Sequence, residues 1–247
     1  THYFGTGFAE AFGITFQGKD NVLRNPHQAS WGVSTRLIGS IIMVHGDDNG
    51  LVLPPFVAPI QVVIIPIQQN KEGILDKANE IKEHLEKAGY RVSLDDSDRT
   101  PGWKYAEHEM KGVPLRLELG PRDLEKNQVV IARRVDGHKS FVKNEDIESE
   151  VARLLKETHE EMYRKAQEFL KSHIVEVKNV QELKNVVDVG GYAKMMWCGE
   201  RACEDKIKEL TTATARCMPH GDHEHFADEC AVCGKKAEKV VYFAKAY

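Results

Sequence analysis

The stretch QVVIIPIQQNKEGILDKANEIKEHLEKAGYRVSL, Gln61 to Leu94, decides the fold. Residues 61–67 are a short β-branched run of the kind that becomes a buried strand. Over 71–88 apolar residues recur at Ile74, Ala78, Ile81, Leu85 and Ala88, a helical period, and Gly89 supplies a C-terminal stop. Residues 90–94 read as a second strand. Working outward, 101–110 is a short helix with proline in its first turn and Trp103, Ala106 and Met110 on one face. Residues 114–119, 128–132 and 139–142 are further strands. From Asn144 a long amphipathic helix uses Ile147, Val151, Leu154, Leu155, Thr158, Met162 and Phe169. Strands alternating with helices predict a mainly parallel or mixed sheet with helices on its faces.

Hydrophobic residues make up 41% of the 247 and charged residues 29%, enough to build packed cores and exclude general disorder. No apolar run approaches the ~18–20 residues of a membrane span. Thr1 opens the chain without a charged-then-apolar leader, so the start reads as cut. Paired prolines at Pro54 and Pro55 stop regular structure and divide an apolar, charge-poor segment, 1–56, from the strand–helix region, 57–157. Residues 158–247 hold every cysteine. There 180–189 and 240–244 read as strands around an irregular metal-centred core.

A net charge of −4 and a pI near 6.3 argue at first against nucleic-acid binding. The charge is uneven, however: Arg99 to Lys143 carry ten basic and six acidic side chains. Such a local basic face can follow a phosphate backbone, and equally can be a salt-bridged surface. Five cysteines are an odd number for a disulfide framework and suggest a reducing compartment. Cys198 and Cys203 are spaced C-x4-C, Cys230 and Cys233 C-x2-C, and Gly234 permits a tight turn after them. Four thiolates close a tetrahedral zinc shell with no open position, so the site reads as structural. Lys235, Lys236 and Lys239 lie near enough in sequence to offset the charge of such a centre. Cys217 fits no pair. His220, His223 and His225 form a loop cluster from which one imidazole could replace a thiolate; with the thiolate set complete, a solvated cluster is the simpler reading. No H-E-x-x-H occurs, which argues against a catalytic zinc hydrolase.

Residues 30–39, SWGVSTRLIG, run from a strand into a helix through about Val44, with Ser34 or Thr35 suited to the cap. Arg36 then sits in the first turn, where the helix dipole disfavours a cation by ~0.3–1 kcal/mol unless it serves to hold phosphate oxygens. The whole segment, SWGVSTRLIGSIIMVHGDDNGLVLPP, resembles the third signature motif of class II aminoacyl-tRNA synthetases, in the form found in prolyl-tRNA synthetases of the archaeal and eukaryotic type. THYFGTGFAEAFGITF upstream and TPGWKYAEHEMKGVPLRLELGPRD downstream continue the resemblance, which extends to Tyr247.

The resemblance implies an α/β and α+β multidomain chain. It would comprise the end of a class II antiparallel-sheet catalytic domain (1–56), an α/β anticodon-binding domain with a mixed sheet (57–157) and a zinc-binding α+β C-terminal domain (158–247). It assigns Arg36 to the ATP triphosphate, Trp31, Gly32 and Ser34 to the strand floor of the adenylate site, and His2 to the side of the proline pocket. Glu109, Arg116 and Asp123, with Lys139 or a near neighbour, match positions that read the anticodon. Their chemistry suits two guanines: a carboxylate accepts from the Watson–Crick N–H donors, and Arg or Lys addresses O6 and N7. Each also has a plainer reading, as a solvated helix face, an outward strand residue or a turn residue, and Trp103 is either core or a base-stacking platform. Cys198, Cys203, Cys230 and Cys233 would hold structural zinc, and Tyr247 would anchor the C-terminus. The family's first and second motifs are not in this sequence, so the chain reads as a C-terminal portion, inactive alone. The expected activity of the whole enzyme is cytoplasmic proline–tRNA ligation with ATP, Mg²⁺, proline and proline tRNA, by a homodimer. The alternative is a non-catalytic tRNA-binding or scaffold protein of the same fold.

Overall fold

A computed structural model describes residues 2–220 and 224–246. They form two compact units, Thr1–Thr158 and His159–Tyr247.

The first unit opens with β1 (His2–Gly5), α1 (Gly7–Ala11), β2 (Phe16–Gln17), β3 (Leu23–Arg24), β4 (Gln28–Ser30) and α2 (Arg36–His45). β1 pairs antiparallel with β4, and β2 with β3, each pair standing alone as a two-stranded ladder. The catalytic sheet expected over 1–56 is therefore not present among the described residues. Two-stranded ladders cannot cover the segment's apolar side chains: Phe12, Leu23, Trp31, Val33, Ile38 and Met43 are all exposed, while Ala9 is buried.

Next come β5 (Val62–Pro66), α3 (Ile74–Lys87), β6 (Val92–Leu94), α4 (Pro101–Met110), β7 (Leu115–Leu119), α5 (Pro121–Glu125), β8 (Gln128–Arg133) and β9 (Lys139–Lys143). One 3₁₀ turn, Asn144–Asp146, leads into α6 (Ile147–Ser172). The sheet order is β6-β5-β7-β8-β9, parallel from β6 to β7 and antiparallel from β7 to β9. This is the mixed sheet that the alternation of elements predicts. Period-2 alternation sorts its faces. Val62, Ile64, Leu115, Leu117, Val129 and Ile131 pack with Ile81 and Leu85 of α3 and with Val151, Leu154 and Leu155 of α6. On the opposite face Val63, Ile65 and Val113 pack with Tyr105 of α4.

Helix α4 departs from expectation. Trp103 and Met110 are half-exposed and Ala106 is exposed, while Lys104 and His108 are buried. The cause is Asp95, just beyond β6. Its backbone carbonyl accepts from Lys104 Nζ at 2.7 Å, and its carboxylate Oδ2 lies 2.9 Å from His108 Nε2. Burying a cation is tolerable only when it is paired and hydrogen-bonded, and here it is. Apolar periodicity does not register such a polar anchor. The Thr100 side chain accepts from Trp103 N and starts the helix, as Pro101 in its first turn foretells. Phe169, expected on the apolar stripe of α6, is also exposed.

The second unit contains β10 (Ile174–Val177), α7 (Val180–Asp188), β11 (Tyr192–Trp197), α8 (Arg201–Thr211), β12 (Thr214–Cys217) and β13 (Lys239–Ala244). Its sheet order is β10-β11-β13-β12, with β10 and β11 parallel and the other pairs antiparallel. Leu183 and Val187 pack with Met195, Ile207, Val241 and Phe243. The strand expected over 240–244 is β13. The one expected over 180–189 is instead the helix α7. Asn179 Oδ1 accepts from Glu182 N, and the Glu182 carboxylate reaches back to Lys178 N at 2.7 Å. That reciprocal cap, with Leu183 and Val187 on the buried face, outweighs the β preference of the valines.

Candidate functional site

The face of the first sheet that carries α4 holds a charged cluster. Strand β7 alternates Leu115, Leu117 and Leu119 inward with Arg116 and Glu118 on the other face. Register places Arg116 opposite Ala132 of β8, and Ala132 opposite Lys139 of β9, so the three form one row. Only the Ala132 methyl separates the cations, and both converge on Glu118. Arg116 Nε donates to Glu118 Oε1 at 3.0 Å, and Lys139 Nζ donates to the two carboxylate oxygens at 2.8 and 3.1 Å. Tyr105 lies against both, with its ring 4.2 Å from the Arg116 guanidinium carbon and 5.5 Å from Lys139 Nζ. Burial, then the Glu118 charge, pushes the Tyr105 hydroxyl up to about 12, so it stays a protonated donor.

Beside this cluster a cavity of about 50 Å³ is lined by His108, Glu109, Arg116, Arg133 and Arg134 among others. Glu109 is half-buried there, and no hydrogen bond or ion pair engages its carboxylate among the described residues. Its backbone is fixed by Arg134, which donates from Nε to the Glu109 carbonyl at 2.8 Å and from both terminal nitrogens to Asp47 at 2.8 and 2.6 Å. That bidentate pair holds the Asp47 carboxyl below its usual range. Gly50 (φ +131°) completes the joint: a Cβ there would lie 2.6 Å from the Met110 backbone. The structure thus brings Glu109, Arg116 and Lys139 together around Tyr105 and Glu118. Asp123 contributes to the Tyr105 environment, but its oxygens accept from Gly120 N at 3.1 Å and Gln128 Nε2 at 3.3 Å, capping α5. Tyr105, Glu118 and Arg134 escape a one-residue-at-a-time reading of the sequence. The i, i+2 spacing of Arg116 and Glu118 was the available signal.

In the second unit the sulfurs of Cys198, Cys203, Cys230 and Cys233 all lie within 4.8 Å of one another. Cys198 follows β11, Cys203 sits in the first turn of α8, and Cys230 and Cys233 share a turn closed by Gly234 N donating to Cys230 O at 3.0 Å. Sulfurs 3.6 and 3.8 Å apart match the edge, about 3.8 Å, of a tetrahedron with 2.3 Å metal–sulfur bonds. The donor set fits a metal ion. Burial pushes the Cys203 thiol up. At Cys230 burial acts in the same sense but is outweighed by the backbone N–H groups of Val232 and Cys233 together with the backbone and thiol of Cys198, and the thiol falls to about 7. No histidine joins the cluster among the described residues. His220 is exposed, and His225 contacts Asp228 at 2.8 Å. Cys217, exposed in β12, stands apart. Lys235 and Lys236 are taken up by Glu200 and Glu238, and Lys239 lies near the Trp197 ring.

Arg36 opens α2 as expected, but Thr35 makes no side-chain cap. Trp31, Gly32 and Ser34 lie after β4 rather than in a strand, and all are exposed. His2, exposed in β1, stacks on Phe4 with ring centroids 5.8 Å apart. His223 and Tyr247 lie outside the described residues.

A family model described as an anticodon binding domain matches residues 61–154, and one described as the C-terminal domain of prolyl-tRNA synthetase matches 180–247. Among curated proteins the chain is similar to a proline–tRNA ligase of Agathobacter rectalis, 52% identical over 248 residues, covering 100% of this chain and 52% of the relative. It is likewise similar to one of Lachnoclostridium phytofermentans, at 51% identity over 100% of the chain and 51% of the relative. A proline–tRNA ligase 2 of Bacillus cereus matches at 52% identity, covering 100% of the chain and 52% of the relative. The chain spans about half the length of these relatives.

Proposed function

Because the chain belongs to the prolyl-tRNA synthetase family, of which it carries the anticodon-binding and C-terminal domains, we propose that it recognises the proline anticodon for a proline–tRNA ligase. The observation that carries this reading is the sheet face on which Arg116 and Lys139 converge on Glu118, beside the unpartnered Glu109 carboxylate. Glu109 accepts from the Watson–Crick N–H donors of a guanine, and Arg116 and Lys139 address guanine acceptors or flanking phosphates. Asp123 positions the β7–α5 corner and offers its remaining lone pairs to the second guanine. The division into 1–56, 57–157 and 158–247 belongs to the same proposal.

In the whole enzyme the proline carboxylate attacks the ATP α-phosphorus and releases pyrophosphate. The terminal ribose hydroxyl of the tRNA then attacks the resulting mixed anhydride and releases AMP. From this chain Arg36 would steady the triphosphate, Trp31, Gly32 and Ser34 would line the adenylate site, and His2 would flank the proline pocket. Mg²⁺ would offset phosphate charge. Cys198, Cys203, Cys230 and Cys233 would bind zinc as a closed structural site. Tyr247 would anchor the C-terminus, and the enzyme would act as a cytoplasmic homodimer. The described residues contain no helix long and apolar enough to cross a membrane.

The test is proline-dependent pyrophosphate exchange, on this chain and on a version extended N-terminally to the length of its relatives. Exchange by the extended protein alone is expected. An extended protein that is inert yet still binds proline tRNA would refute the ligase reading and favour a non-catalytic scaffold.

A further inference from the structure

Strand β9 lies at the edge of the first sheet, and its residues alternate between the two faces. Val142 is buried in the core that faces α3 and α6. Lys139, Phe141 and Lys143 consequently share the other face, the one that bears Arg116 and Glu118, and all three are exposed. The register is continuous: Glu118 faces Val130 on β8, and Val130 faces Phe141 on β9. Phe141 therefore stands one row along from the Arg116–Ala132–Lys139 row and is 72% exposed. Lysines on an edge strand are explained by the need to prevent strand-to-strand association. A largely bare phenylalanine between them is not, because it raises that risk and buries little.

We propose that Phe141 is a stacking platform for an unpaired base of single-stranded RNA, with Lys139 and Lys143 flanking it on the phosphate backbone. The proposal rests on the anticodon-reading function above and extends it to a nucleotide next to the guanines. Each lysine lies two residues from Phe141, about 7 Å along the strand, so the pair stand about 13 Å apart and bracket one ring. Cation, aromatic face and cation in line are what a single strand requires: π-stacking for the base and positive charge for the chain. Every base has a π-face, so this platform adds affinity without choosing among bases. Choice remains with Glu109 and Arg116.

The experiment measures binding of the full chain to a proline anticodon stem-loop RNA, to the same RNA with both anticodon guanines replaced by adenine, and to a blunt RNA duplex. Phe141→Leu is expected to weaken stem-loop binding about tenfold. The ratio between the two stem-loops and the duplex affinity should stay unchanged. Phe141→Trp is expected to restore affinity to within about twofold of wild type. Stem-loop affinity unmoved by Phe141→Leu, equal losses on the duplex, or a tryptophan variant no better than leucine would each overturn the platform. Failure of the anticodon reading shows separately, as a wild-type protein indifferent to the guanine replacement.

Discussion

Glu118 holds two cations on the candidate RNA-reading face, so Glu118→Gln tests whether that cluster is an organised unit. The glutamine keeps the volume and one acceptor but removes the charge. The Glu118 side chain is 8% exposed and Arg116 18%, so their pair is largely screened from water. Hydrogen bonds to charged groups contribute about 1.5–3 kcal/mol each. Lys139 is 48% exposed and can return to solvent, so its share is that of a surface pair, at most about 1 kcal/mol. The expected loss is roughly 3 kcal/mol, most of it from an Arg116 that remains against Tyr105 without its carboxylate. Chain-wide unfolding in two units need not be two-state, so the assay is native-state amide hydrogen exchange at Leu117 and Ile131, which pair across β7 and β8. Their opening free energy should fall by that amount. RNA binding should meanwhile become more salt-dependent and less selective, since two cations are left free for phosphates. A change below about 0.5 kcal/mol with an unaltered salt slope would refute the reasoning.

Two further outcomes follow from the polar interior and the thiol cluster. Burial raises the Asp95 carboxyl, but Ser97, His108 and Lys104 together outweigh this and hold it below its ordinary value of 3.8. A carboxylate depressed in the folded state contributes stability above its unfolded pKa and loses it as pH falls through the folded value. Urea midpoints followed downward from about pH 5 should therefore fall for the wild-type chain and be flatter for Asp95→Asn; parallel profiles would contradict this. Elemental analysis should find about one zinc ion per chain, and chelation should release protection in the Cys230–Gly234 turn and the first turn of α8 while leaving β5–β9 intact. Zinc well below one equivalent, or unchanged protection after chelation, would dispose of the site.

The central sheet was legible because β5 and β8 are buried and β-branched and α3 carries an unbroken apolar period. Ile74, Ala78, Ile81 and Leu85 of α3 are all buried as that period requires. Legibility failed where polar groups decide the packing. In α4 a salt-bridged lysine and a histidine, not Trp103 and Met110, face inward, because Asp95 lies thirteen residues from His108 and nothing local reveals the pair. In α7 the cap at Asn179 overruled a valine-rich segment. The candidate site was legible as individual residues, since Glu109, Arg116 and Lys139 come together in space. Their shared partner Glu118 and the Arg134–Asp47 clamp depend on strand register and on a contact 87 residues apart in sequence, which spacing alone does not encode.

The most direct test is the affinity of the chain for a proline anticodon stem-loop with guanines at the second and third positions, compared at one salt concentration with the loop carrying adenines there. The wild-type chain should prefer the guanines by at least about tenfold, and Arg116→Ala should lose affinity for that RNA while barely changing the other. Equal wild-type affinity for the two RNAs, or an equal loss on both in Arg116→Ala, would reduce the cluster to a phosphate contact and contradict the account.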